Sequence, residues 1–128
     1  PDGMLEGYIS PTQKMHRKKK LSLLPLAVSA KPSSTRYETE QHCGILSLVR
    51  FFPVTGRTHQ IRVHAATAGH PIAGDALYGA KTKIPNLEKE RFLLHAARLR
   101  FGLPNGKTVS FEAPLPDDFK KTLAAFCA

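Results

Sequence analysis

Apolar and polar positions change period several times along this chain, and each change marks an expected element. Residues 1 to 20 are polar and loop-like, with a short strand expected at Leu5 to Ile9, and Leu21 to Ser29 reads as a strand broken near Pro25. From Ser34 to His42 polar residues lie on both faces, the pattern of an edge strand, and Cys43-Gly44 supplies a turn. Ile45 to Val54 is apolar on both faces, with Ile45, Val49 and Phe51 on one and Leu46, Leu48 and Phe52 on the other. A central place in a sheet is expected for it, with Pro53 ending its ladder.

Thr58 is a candidate cap for a short helix that runs through Gly69, where His70-Pro71 stops it. Pro71 to Lys83 reads as an irregular loop, with Gly74, Gly79 and the Asp75 side chain available for tight turns. Leu94 to Leu103 and Lys107 to Ala113 form a hairpin whose register can be argued. A three-residue loop of Pro104, Asn105 and Gly106 pairs Phe101 with Val109, Leu99 with Phe111 and Arg98 with Glu112, and puts Gly106 at a left-handed bulge position. Pro116 to Cys127 carries Phe119, Leu123 and Phe126 at helical spacing, with Asp117 and Asp118 in the first turn where the helix dipole favours acids.

Composition narrows the function. The 128 residues fit one domain, expected to bury roughly two-thirds of the surface of the unfolded chain. The two cysteines, Cys43 and Cys127, have no CxxC partner, which excludes a cysteine zinc site and a disulfide-rich scaffold and fits a reducing, cytoplasmic setting. The longest apolar run, Leu21 to Ala30, is too short and too broken for a membrane span. With 19 Lys+Arg against 10 Asp+Glu the net charge is +9, and it is unevenly placed. No carboxylate lies between Glu6 and Glu38, where Arg17, Lys18, Lys19 and Lys20 form a basic run, and none lies between Glu40 and Asp75. A polyanion is the natural partner, because each phosphate neutralised releases condensed counterions.

The densest polar chemistry is Gly56 to His64 (GRTHQIRVH), where two guanidiniums, an amide and two imidazoles crowd a helix start. Such a cluster suits phosphate and ribose, and Arg57, His59, Gln60 and His64 are its candidate contacts to such a polyanion together with Arg17, Lys18, Lys19 and Lys20. Arg62, further into the helix, can pair bidentately with a carboxylate. His59 and His64, about 140° apart on a helix, do not form a metal pair, and no nucleophile elbow or phosphate loop is present.

GRTHQIRVH, followed by GHPIAGDALYG (Gly69 to Gly79), LLHAARLRF (Leu93 to Phe101) and APLP (Ala113 to Pro116), closely resembles the closing half of the RluA-type family of RNA pseudouridine synthases, in order as well as in wording. The resemblance runs from about Ser34 to Phe126 and implies an α+β fold with a mixed, mainly antiparallel sheet and packed helices. It also implies isomerisation of uridine in ribosomal or transfer RNA, with no cofactor. In that family the arginine at the position of Arg62 pairs with an essential aspartate, and Ile61 and Val63 are expected to help wall the uracil pocket. The family's Arg-Leu-Asp segment and Lys-x-Tyr strand do not occur in these 128 residues, and the chain starts at Pro1. The expectation is therefore a C-terminal portion of a catalytic domain, basic and loop-rich over 1 to 33 with its core over 34 to 128. It would be inactive alone and would use its missing N-terminal half as a partner. Leu46, Leu48 and the helix faces would then lack cover, favouring dimers or aggregates. The alternative is a non-catalytic RNA-binding module.

Overall fold

The computed structural model describes residues 2–12, 18–22 and 30–127. Strands β1 (Asp2–Pro11), β2 (Lys19–Ser22), β3 (Lys31–Cys43) and β4 (Leu46–Pro53) form one sheet in the order β2-β1-β3-β4, with every neighbouring pair antiparallel. Helix α1 (Gln60–Thr67) follows, then a single 3-10 turn over Ala76–Tyr78. Strands β5 (Arg98–Gly102) and β6 (Thr108–Glu112) make a separate hairpin, and α2 (Asp117–Phe126) closes the described chain. The expected α+β, mainly antiparallel architecture is observed.

The strand order corrects two expectations. β4 is at the sheet edge and β3 is interior, because β1 is twice the expected length and pairs with β3 from Asp2↔Glu38 to Ile9↔Lys31. The polar residues of β3 are not an edge signature: Ser33 and Thr35 are buried beneath α1. An extra residue, Glu40, interrupts the β3–β4 register between Thr39 and Gln41. Of the broken strand at Leu21 to Ser29, only Leu21 and Ser22 are seen in β2, and residues 23–29 lie outside the described residues.

The hairpin keeps the expected register, Arg98↔Glu112, Leu99↔Phe111 and Phe101↔Val109, with Gly106 at φ 84°. One face carries Leu99, Phe101 and Phe111, all exposed, with the two phenyl rings stacked at 6.1 Å. Helix α1 starts later than expected and is not capped by Thr58: the residue before it, His59, takes a left-handed backbone (φ 57°) and makes no side-chain cap. The helix also ends earlier than Gly69, at Thr67 with Ala68 as the cap, and the Gly69 and His70 N–H groups return to the Ala66 and Ala65 carbonyls. The two cysteines do not stand apart. Cys43, at the end of β3, is joined by a disulfide to Cys127, just after α2, with Cα atoms 4.8 Å apart.

Among the described residues the buried set is half polar: Ser10, Ser33, Thr35, Gln60, His64 and Asp75 stand beside Ile9, Cys43, Val63, Ala65, Ile72 and Tyr78. Where α1 meets β1 and β3, hydrogen bonds therefore hold the core as much as apolar contact does. No helix among the described residues is long and apolar enough to cross a membrane.

Candidate active site around Arg62

Arg62 projects from α1 toward the loop that follows it. Its Nε–H donates to Asp75 Oδ2 at 2.9 Å and its Nη2–H to Asp75 Oδ1 at 2.8 Å, a bidentate pair with an aspartate that is 1% exposed. The guanidinium carbon lies over two rings, 4.0 Å from the Phe92 centroid and 5.0 Å from that of Tyr78. Gly74 makes this possible: it adopts φ +87°, and a Cβ there would strike the Arg91 carbonyl, so the chain at Phe92 can lie against the loop only because residue 74 has no side chain. The Asp75 hydrogen bonds raise the Arg62 pKa above its ordinary value, so the cation is permanent. No described residue accepts a hydrogen bond from Nη1, which leaves that end of the fork able to take a second anion.

Tyr78 links Arg62 to the basic strand β2. Its hydroxyl accepts the Lys19 N–H at 2.9 Å and meets His59 Nδ1 at 2.7 Å, while Lys18 Nζ lies 5.9 Å from the ring centroid. Burial, followed by the charge of Arg62, lowers the His59 pKa, and burial raises that of Tyr78. Both groups are thus neutral near pH 7. Lys18, Lys19, Lys20, Val63 and Tyr78 help line a cleft of about 380 Å³.

The expected site residues divide. Arg62, His59 and Lys18 to Lys20 gather around Tyr78, Val63 forms part of the cleft wall, and Ile61 is half-buried. Arg57 is half-buried and donates through Nε to the Pro32 carbonyl at 2.8 Å, while lining a second cleft of about 300 Å³ with Lys19 and Lys31. Gln60 and His64, expected to touch RNA, do not: they are 4% and 0% exposed and bond to β3, because their polar atoms are consumed inside the core. Arg17 lies outside the described residues. Sequence reasoning assigns Asp75 to a turn and so misses its pairing, and it misses Tyr78 and Phe92 as well. One signal is available for Asp75: it is the first carboxylate after Glu40, following a cationic stretch that contains Arg57 and Arg62.

No family model matches the chain. Over 107 residues it is 46% identical to the ribosomal large subunit pseudouridine synthase C of Yersinia pestis, a match covering 80% of this chain and 33% of that protein. The protein of the same name from Escherichia coli O157:H7 is 43% identical, with 79% and 34% covered. Among solved structures, human RNA pseudouridylate synthase domain containing 4 superposes with a TM-score of 0.76 at 25% identity, over 98% of this chain and 56% of that one. Human RNA pseudouridylate synthase domain containing 1 gives 0.69 at 25% identity, over 99% and 60%. The chain spans about a third of the length of the curated relatives it matches.

Proposed function

This chain belongs to the RluA-type family of RNA pseudouridine synthases, and from that premise we propose that it supplies the arginine side of a uridine-isomerising active site. The observation that carries the reading is Arg62, locked by one edge to Asp75 and in contact with the Phe92 and Tyr78 rings, with Nη1 left unclaimed among the described residues. A fixed guanidinium with a vacant donor edge holds a neighbouring carboxylate ionised and oriented. The carboxylate would be the family's aspartate, brought by an Arg-Leu-Asp segment that these 128 residues do not contain. The reaction is an isomerisation: the bond between ribose C1′ and uracil N1 breaks, a bond from C1′ to C5 forms, and the C5 proton is exchanged for one at N1. It therefore needs no oxidant or reductant. The target uridine has to leave its stack, at a cost of a few kcal/mol, and Lys18, Lys19 and Lys20 beside the Val63 and Tyr78 cleft would hold its phosphates.

The names of the curated relatives favour large-subunit ribosomal RNA as the substrate class, and a ribosomal substrate in turn favours the cytoplasm as the place of work; against that setting stands the Cys43–Cys127 disulfide, which overturns the expectation of two unpaired thiols. Cover for the exposed Leu99, Phe101 and Phe111 face would come from the segment bearing the aspartate. The test is a graft in which this chain replaces the matching stretch of the Yersinia pestis protein, assayed by release of tritium from RNA carrying uridine labelled at C5. A folded graft that releases tritium, beside a 128-residue chain that binds RNA without releasing any, supports the proposal. Binding by both with release by neither favours a non-catalytic RNA-binding module.

A further inference from the structure

The polar side chains at the centre of the interface between α1 and β3 are all partnered, and the partners fix which way each proton points. The Gln60 side chain accepts the Thr55 hydroxyl at 2.6 Å and the Arg57 N–H at 3.0 Å through Oε1. Its Nε2 donates to the Ser34 carbonyl at 2.9 Å and to Thr35 Oγ1 at 2.8 Å. The Arg57 N–H and the Ser34 carbonyl admit no other amide orientation. Thr35 Oγ1, 0% exposed, thus accepts from Gln60 and lies 3.0 Å from His64 Nδ1. Ser33 gives its one hydroxyl proton to the Gly7 carbonyl at 2.8 Å, so its contact with His64 Nε2 at 2.8 Å is donated by the ring; the neutral imidazole then carries its hydrogen on Nε2, and Nδ1 accepts the Thr35 hydroxyl. The chain of donors runs one way, from Gln60 through Thr35, His64 and Ser33 to the backbone of β1.

We infer that His64, as a neutral Nε2–H imidazole, is the positioning residue for Arg62: it latches α1 to β1 and β3, and a second proton on the ring opens the latch. A proton on Nδ1 would take the second lone pair of Thr35 Oγ1 and turn the hydroxyl hydrogen away from the ring, leaving it with no acceptor among the described residues at a site that water does not reach. Nor does an anion stand ready for an imidazolium. The charged groups on the elements packed against α1, Glu6 on β1, Lys19 on β2, Lys31 and Arg36 on β3 and Asp75 in the loop, do not shift the ring, and burial alone lowers its pKa from 6.5. Arg62 sits two residues before His64 on a helix of only eight residues, so undocking the helix takes the guanidinium with it.

The consequence has a sign opposite to plain electrostatics. Charging histidines as the pH falls should strengthen binding to a polyanion, whereas the latch predicts that acid loosens α1. For each pH unit below the ring's ordinary pKa, opening should become about tenfold easier until the pKa of the closed form is reached. Hydrogen exchange and imidazole nitrogen NMR on the 128-residue chain, from about pH 7.5 to about pH 5, test this without any variant. The expected result is a His64 ring with bare Nδ1 and protonated Nε2 at neutral pH. Protection of the Val63 and Ala65 amides should fall on acidification, by up to about tenfold per pH unit below the ring's ordinary pKa, while Arg36 and Tyr37 stay protected. A ring that titrates near pH 6.5 with α1 protection unchanged, or one that carries its hydrogen on Nδ1, overturns the inference. Two substitutions separate latch from packing: Thr35→Val keeps the shape and loses the relay, so α1 should open and the Arg62 Nε–H signal broaden, and Thr35→Ser should restore both. Equal behaviour of Val and Ser variants would leave only a packing role and contradict the proposal. The functional consequence rests on the proposed role of Arg62, but the proton order does not. Opening of α1 with RNA binding unchanged would count against the RNA reading while leaving the latch intact.

Discussion

Replacing Asp75 by Asn keeps the shape of the side chain and removes its charge, so it isolates what holds Arg62. The pair is bidentate, the aspartate is 1% exposed and the arginine side chain 13%. Breaking a buried pair by removing one partner leaves an uncompensated charge and costs about 3–5 kcal/mol. The small exposure of Arg62 and its two ring contacts, together worth on the order of 1–2 kcal/mol, bring the expectation to about 3 kcal/mol. With a urea m-value of about 1.5 kcal/mol/M, the unfolding midpoint should drop by about 2 M. Arg62→Met strands the buried carboxylate instead and should be similarly costly. The double variant should recover part of the loss, with a coupling energy of about 2–3 kcal/mol. Urea titrations of the four proteins, at low salt and at about 1 M salt, give the cycle. A cost below about 1 kcal/mol for Asp75→Asn, or a coupling that vanishes in salt, would mean that the pair is solvated and screened, and the reasoning from burial would fail.

Reduction of the Cys43–Cys127 disulfide, which closes a sequence separation of 84 residues, should destabilise the chain by up to about 4–5 kcal/mol, seen as a lower urea midpoint with dithiothreitol or in Cys127→Ser; an unchanged midpoint would show that the bond carries no stability. Stability should also decline as the pH falls. His59 and His64 both have pKa values lowered by folding, so the unfolded chain takes up the extra protons, and stability is full above about 6.5 and erodes below it; thermal melts that are flat from pH 7.5 to 5 would contradict this. Changing Lys18 and Lys20 to Ala should weaken binding to single-stranded RNA and reduce the salt slope by about 0.7 for each phosphate no longer neutralised, while an unchanged slope would move the run off the RNA surface. Phe111→Glu should suppress self-association measured by light scattering, because it places a charge in the exposed face of β5 and β6; identical association would place the self-association surface elsewhere.

The hairpin and α2 are legible in the sequence because their signals are local. A Pro104-Asn105-Gly106 loop fixes the register of a few adjacent residues, and Phe119, Leu123 and Phe126 mark one helix face. What the sequence hides is non-local. The place of β4 depends on how far β1 extends along β3, and nothing within Leu46 to Pro53 records it. The disulfide joins two positions with no shared local pattern. Thr35 reads as an edge-strand residue and Gln60 and His64 as surface contacts because polar residues are usually outside, yet with Ser33 they satisfy one another in the core. Arg62 stands out in the sequence through the family motif it sits in, which implies a carboxylate partner; the structure supplies one within the chain, Asp75, and no described residue accepts from Nη1.

The central claim is that Arg62 serves the chemistry beyond its structural pairing with Asp75. The direct measurement is the single-turnover rate of tritium release by the grafted synthase, with Arg62 intact and with Arg62→Met, on RNA at saturating concentration, folding being verified by circular dichroism. The account predicts a drop of about 10²–10³-fold or more in that rate, with RNA affinity little changed. A folded Arg62→Met graft that turns over at the unsubstituted rate would contradict it.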